Sequence, residues 1–167
     1  MKVSTDACIQ GAWTPIDAAV NNVLDIGAGT GLLSLMLAQR NDFINIEAVE
    51  LEEKSANQAK ENFDISPWGD RMYVHQQDIK NYKPQKLFDM IICNPPFFQS
   101  SLKGNHANRN LARHTDSLSY ECLLSSIDKT LKRDGYASVM LPVTEFEIWK
   151  NLLDANGWYI STQLIVK

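Results

Sequence analysis

The sequence predicts an α/β fold, a mostly parallel twisted sheet flanked by helices, and three observations carry that expectation. Short apolar runs alternate along the chain with segments of helical period. A glycine turn in VLDIGAGTGLL joins one such run directly to a helical segment. Gly135 and Gly157 stand just past two helical segments, where a left-handed cap residue is wanted. Strand, helix, strand repeated in this way requires right-handed crossovers and covers both faces of the sheet.

Taken in order, strands are expected at 23–26, 44–49, 72–74, 87–93, 136–141 and 163–166, each a short run rich in Val, Ile, Leu or aromatic residues. Helices are expected at 31–40, 52–62, 119–132 and 144–156. The third is the best defined, because Tyr120, Leu123, Leu124, Ile127 and Leu131 fall on one face. The stretch from Gln99 to Asp116 has no clear period. No repeat or linker divides the chain, so residues 1–167 are expected to form a single domain.

Composition narrows the function classes. A chain of 167 residues with 44% hydrophobic content can bury a sizeable core. No run approaches a membrane span and the first residues lack a signal-peptide layout, so a cytoplasmic protein is expected. Cys8, Cys93 and Cys122 are far apart and include no CxxC pair, which argues against a disulfide framework or a zinc knuckle. His106 and His114 have no acid or cysteine at ligand spacing, and no metal is assigned. A net charge of −4 argues against a general nucleic-acid coat, so a polyanionic partner would need a local basic patch. A monomer is expected.

In open α/β sheets, ligands sit beyond the carboxyl ends of the strands. Gly27, Gly29 and Gly31 let the backbone bend sharply there and admit a ligand closely. Their GxGxG spacing is one residue short of the dinucleotide fingerprint, and Asp25 suits a cation better than a pyrophosphate. Glu50, closing the second strand, is placed for ribose hydroxyls, and Asp78, after the third, for an adenine amino group. Together these residues describe a nucleoside with a positively charged appendage. S-adenosylmethionine fits; a nicotinamide dinucleotide would want the longer glycine spacing.

The fourth strand ends in ICNPPFF. Alone, NPPFF would serve as a strand-ending turn with two core phenylalanines. Beside a sulfonium cofactor it has a chemical use, since the exocyclic amine of adenine is planar and poorly nucleophilic. The Asn94 side-chain oxygen and the Pro95 carbonyl offer two acceptors for its N–H groups. Pro95 and Pro96 fix the backbone without a competing donor. Phe97 offers a stacking face, worth roughly 1–3 kcal/mol per base in single-strand binders.

LDIGAGTG, VELE, QDI and NPPFF resemble the Rossmann-like class I S-adenosylmethionine-dependent methyltransferases that modify amino nitrogens. KVSTDACIQGAW, SPWGDR and ARHTDSLSYECLL are similar to bacterial tRNA adenine methyltransferases of the TrmN/YfiC type, and the similarity covers nearly the whole chain. The resemblance implies a tRNA substrate modified at the adenosine 3′ of the anticodon of a valine tRNA. It implies that Thr5 and Asp6 lie near the methionine end of the cofactor and that Asp25, Gly27, Gly29 and Gly31 form its loop. Glu50 would hold the ribose, Asp78 and Ile79 the adenine, and Asn94, Pro95, Pro96 and Phe97 the target base, with Asn94 also beside the cofactor.

The chain departs from the family pattern in places. Phe97 stands where a tyrosine is common, and Cys8, Ile9 and Gln10 occupy a segment expected to be more aliphatic. Such methyltransferases resemble one another in having seven strands, and only six are read here, so a truncated chain is expected. Substrate choice should fall to QSSLKGNHANRNLARHTD, whose Lys103, Arg109 and Arg113 could meet phosphates or merely line a solvated loop. The same signature serves enzymes acting on guanine amines and on release-factor glutamines. An inactive cofactor-binding scaffold is the alternative from another class.

Overall fold

The computed structural model describes residues 4–95 and 118–166. Five strands form one sheet: β1 (Asn22–Ile26), β2 (Asn45–Glu50), β3 (Met72–Gln76), β4 (Phe88–Cys93) and β5 (Leu131–Val139), in the order β3-β2-β1-β4-β5. Every pairing is parallel. The described helices are α1 (Thr5–Trp13), α2 (Leu32–Arg40), α3 (Glu53–Asp64), α4 (Tyr120–Thr130) and α5 (Phe146–Ala155). No helix among the described residues is long and apolar enough to cross a membrane.

The chain partitions into two compact units. One comprises Met1–Pro95 with Ser126–Met140, the other Pro96–Ser125 with Leu141–Lys167. The first holds the sheet. Val23, Ile46, Ala48, Met90 and Ile92 point to one side of it and pack in one cluster with Leu33, Leu37 and Ala38 of α2. The alternate residues Leu24, Ile26, Val49 and Ile91 are also buried, so the central strands are covered on both faces. In the second unit, Tyr120 donates its hydroxyl to Glu145 and its ring meets Trp149 edge-on at 5.6 Å.

The expected helices are present with small shifts at their ends. Tyr120, Leu123, Leu124 and Ile127 of the predicted third face are buried on α4, whereas Leu131, also buried, opens β5 rather than continuing the helix. Gly157 has φ +76°, as a helix cap should. The other expected cap, Gly135, does not: it lies inside β5 with ordinary backbone angles. The pairing shifts between Phe88↔Leu131 and Met90↔Tyr136, so residues 132–135 bulge, and a Cβ on Gly135 would lie 2.8 Å from the Asp89 carbonyl. Close approach of two backbones selects glycine here. β5 accordingly starts five residues before the expected position.

The expected sixth strand at 163–166 is not one. A strand exists by pairing, and no ladder reaches that segment among the described residues; Leu164, Ile165 and Val166 are each about half exposed. Conversely, α1 has no counterpart among the expected helices. Ser4 caps it by accepting from the Ala7 N–H at 3.2 Å, and its inner face is Ala7, Gln10 and Gly11. These are too small or too polar to make an apolar stripe. A Cβ on Gly11 would meet Met36 Sδ at 2.6 Å, so the missing side chain lets α1 lie close on α2.

Candidate functional site

The strand order reverses beside β1, and because every strand is parallel all five carboxyl ends lie along one edge. Ile26 pairs with Cys93, so the glycine turn and the Asn94–Pro95 turn leave the sheet side by side. Val49 pairs with Ile26 and Gln76 with Glu50, which places Glu50 and then Asp78 further along the same edge.

The glycine turn is built from below. Gly27 and Ala28 donate to the Val49 carbonyl at 2.9 and 3.3 Å. Gly27 has φ +70°, and a Cβ added there would meet nothing within 4 Å, so the turn leaves an open cradle. Gly31 has φ +80° and rests on Phe63, whose ring would lie 2.4 Å from an added Cβ. The Asn62 amide donates to the Thr30 carbonyl at 2.9 Å. Asn62 and Phe63 thus brace the turn from α3, and neither had a motif to announce it.

Asp25 lies fully buried beneath this turn. Its Oδ2 accepts from the Ser34 N–H at 3.2 Å and the Ser34 hydroxyl at 2.7 Å, while its buried Oδ1 has no hydrogen-bond partner. Burial pushes its pKa up to about 6 against the pull of the Ser34 bonds, with a small further rise from Glu50. Burial also raises the neighbouring Cys93 thiol, which stays protonated.

Glu50 is tied into the backbone. Oε2 accepts from Gly29 N–H at 2.7 Å and Oε1 from Glu52 N–H at 2.9 Å, which aims the carboxylate and leaves lone pairs on both oxygens. Asp78 caps the short 3₁₀ turn Ile79–Asn81 by accepting from Lys80 N–H at 2.9 Å, and its other oxygen lies 3.0 Å from Lys80 Nζ. Ile79 is buried beside it. Thr5 and Asp6 sit exposed on the first turn of α1, with no hydrogen bond to the glycine turn among the described residues.

Asn94 is half-buried and Pro95 buried. The Gln10 side chain reaches the end of this strand from α1, donating to the Cys93 carbonyl at 3.1 Å and to the Ser138 carbonyl at 3.2 Å. Pro96, Phe97, Lys103, Arg109 and Arg113 lie outside the described residues. The structure therefore brings together Asp25, the three glycines, Glu50, Asp78 and Asn94 along one edge.

The residues present fit S-adenosylmethionine. An open cradle, an orphaned buried carboxylate oxygen for a cation and an aimed carboxylate for a diol are the features such a ligand needs.

Residues 13–124 match the profile of the methyltransferase small domain family. A tRNA1(Val) (adenine(37)-N6)-methyltransferase of Pseudoalteromonas translucida is 44% identical over all of this chain and 71% of its own length. Its namesake in Aliivibrio salmonicida is 47% identical over 87% of this chain and 62% of its own. The chain thus spans roughly two thirds of these relatives. Among solved structures, a ribosomal protein L11 methylase from Lactobacillus delbrueckii superposes with TM-score 0.68 at 14% identity, over 97% of this chain and 72% of that one. A glycopeptide N-methyltransferase bound to S-adenosyl-L-methionine gives 0.53 at 16%, over 78% and 50%. These two show the fold alone. Profile and relatives go further: the chain belongs to the methyltransferase small domain family, in the branch of the tRNA1(Val) (adenine(37)-N6)-methyltransferases.

Proposed function

We propose that this chain forms one methyltransferase domain of the cytoplasm that methylates the exocyclic amino nitrogen of adenine in tRNA, at the adenosine immediately 3′ of the anticodon of a valine tRNA. The supporting observation is the Ile26↔Cys93 register, which sets the cofactor turn and the Asn94 turn next to each other. The names of the relatives supply the base and the tRNA.

S-adenosylmethionine supplies, when bound, a methyl group made electrophilic by a sulfonium. The work of the chain is placement. Glu50 holds the ribose diol, with its orientation set by Gly29 and Glu52. Asp25, with one carboxylate oxygen left unpartnered, would answer the positive end, and Asp78 with Ile79 would receive the adenine. Thr5 and Asp6 would lie near the methionine end. The Asn94 oxygen and the Pro95 carbonyl accept the two N–H groups of the target amine and stabilise the positive charge that develops on nitrogen. Phe97 stacks on the flipped base, and Lys103, Arg109 and Arg113 meet phosphates.

Incubation with total tRNA and labelled cofactor, followed by nucleoside analysis, is expected to yield N6-methyladenosine. Label in guanine, or in the glutamine of a release-factor protein added as competing substrate, would replace this substrate. No transfer despite tight cofactor binding would favour a scaffold. Replacing Lys103, Arg109 and Arg113 by Ala should lower the slope of log K for tRNA against log salt by about 0.7–0.9 per contact.

A further inference from the structure

We infer that Gln10 is a positioning residue for Asn94, an inference that rests on the amine-activating role proposed above. Gln10 is almost fully buried on a helix face otherwise made of Ala7 and Gly11, where an aliphatic side chain would fill the space without bringing a polar group indoors. Its Nε2 donates to the Cys93 and Ser138 carbonyls and lies 3.3 Å from Ser138 Oγ, which in turn shares a 2.9 Å hydrogen bond with Thr14 Oγ1. Carbonyls only accept, so the amide must turn its NH₂ toward them. The oxygen Oε1, on the other side, is buried and has no partner. The value of this side chain therefore lies at its donor end.

The Cys93 carbonyl is the last of β4, and it belongs to the peptide plane that leads into Asn94. It also accepts from the Met140 N–H at 3.0 Å. With Gln10 on one lone pair and Met140 on the other, both acceptor positions are used and the plane cannot turn. On the far side of Asn94, Pro95 confines the preceding residue to extended backbone. Asn94 is thus held from both directions, by two donors before it and by proline sterics after it. A ladder bond alone would leave the plane hinged at a strand end. Gln10 converts the hinge into a clamp.

Gln10→Met keeps the length and volume and removes the donor. Turnover on tRNA is expected to fall about 10- to 100-fold, the range for a small misplacement at a reacting centre. Affinity for S-adenosylmethionine should stay within about twofold. Because Gln10 acts through Asn94, the double variant with Asn94→Ala should lose no more turnover than Asn94→Ala alone; losses that multiply would overturn the inference. The side-chain amide resonances of Asn94 should also shift in ¹⁵N spectra of Gln10→Met, with the backbone amide resonances of Gly27 to Gly31 unmoved. Gln10→Leu takes its place if the methionine variant does not fold. Unshifted Asn94 resonances in a folded variant would overturn the clamp. If Asn94→Ala keeps its turnover, the amine-activating role fails instead, and the resonances still decide whether Gln10 sets Asn94.

Discussion

Asp25 and Asp89 stand on adjacent strands of one sheet and are treated in opposite ways. Asp89, near the amino end of β4, accepts from the N–H groups of Asn21 and Asn22 at 3.0 and 2.8 Å and from Lys132 Nζ at 2.5 Å. Burial by itself would raise its pKa, but these donors hold it below the usual carboxylate range. Asp25, near the carboxyl end of β1, is more deeply buried, leaves one oxygen unpartnered and titrates near 6. One end of the sheet is finished for stability; the other keeps an unmet demand that a cation would satisfy. The same logic separates Lys132, spent on Asp89, from Gln10, whose oxygen is idle while its nitrogen clamps Cys93.

That contrast can be broken most forcefully at Asn94. Asn94→Ala should reduce kcat by roughly 10²–10³, the cost of deleting one pre-aimed partner of developing charge, while cofactor affinity barely moves. A variant with normal turnover would remove catalysis from this edge.

Asp25→Asn should show the two demands in opposition. Cofactor affinity is expected to fall about 10- to 100-fold, as when a hydrogen bond to a charged group is lost. The free protein should gain about 1–2 kcal/mol at pH 7, because a buried ionised group has been neutralised. Calorimetry and thermal unfolding of the same sample check both, and an affinity that stays put would undo the assignment of Asp25 to the cofactor.

Asp89→Ala should do the reverse. It strands Lys132 and two N–H groups, with an expected loss of about 2 kcal/mol of stability and no change in turnover below the melting range. A turnover defect would mean that the amino end communicates with the chemistry.

The pH dependence sharpens the comparison with the smallest effect. Asp25 binds its proton more tightly folded than unfolded, so between its ordinary value of 3.8 and about 6 the folded state carries the excess proton and stability falls as pH rises. Cofactor binding should tighten across pH 6 as the carboxylate ionises. Asp89 has the opposite sign: its contribution is present above 3.8 and lost as pH falls through its lower folded value. Asp25→Asn should abolish the first slope and leave the second, which acid titration of unfolding can read.

Much of this architecture was legible in the chain itself, for reasons that are local. Val23 to Ile26 and Leu87 to Cys93 are apolar apart from Asp25 and Asp89, because a central parallel strand is buried on both faces. Leu123, Leu124 and Ile127 keep helical period because a helix buries one stripe. Gly27, Gly29 and Gly31 all adopt positive φ, a backbone preference written into the residue, and Asn94-Pro-Pro announces restriction in the same way.

What the tertiary structure alone decided are the properties that depend on a distant partner. Leu164 to Val166 have the composition of a strand and lack a neighbour, and pairing cannot be read from one segment. Gly135 is a glycine of close approach, which is evident only once Asp89 lies opposite. Asp25 was visible as a carboxylate before a glycine turn, but the orphaned oxygen that makes it useful exists only after Ser34 has taken the other one. Gln10 showed in the sequence only as a polar residue in a segment expected to be more aliphatic. Its meaning is a pair of carbonyls 83 and 128 residues away, and only folding brings a donor to them.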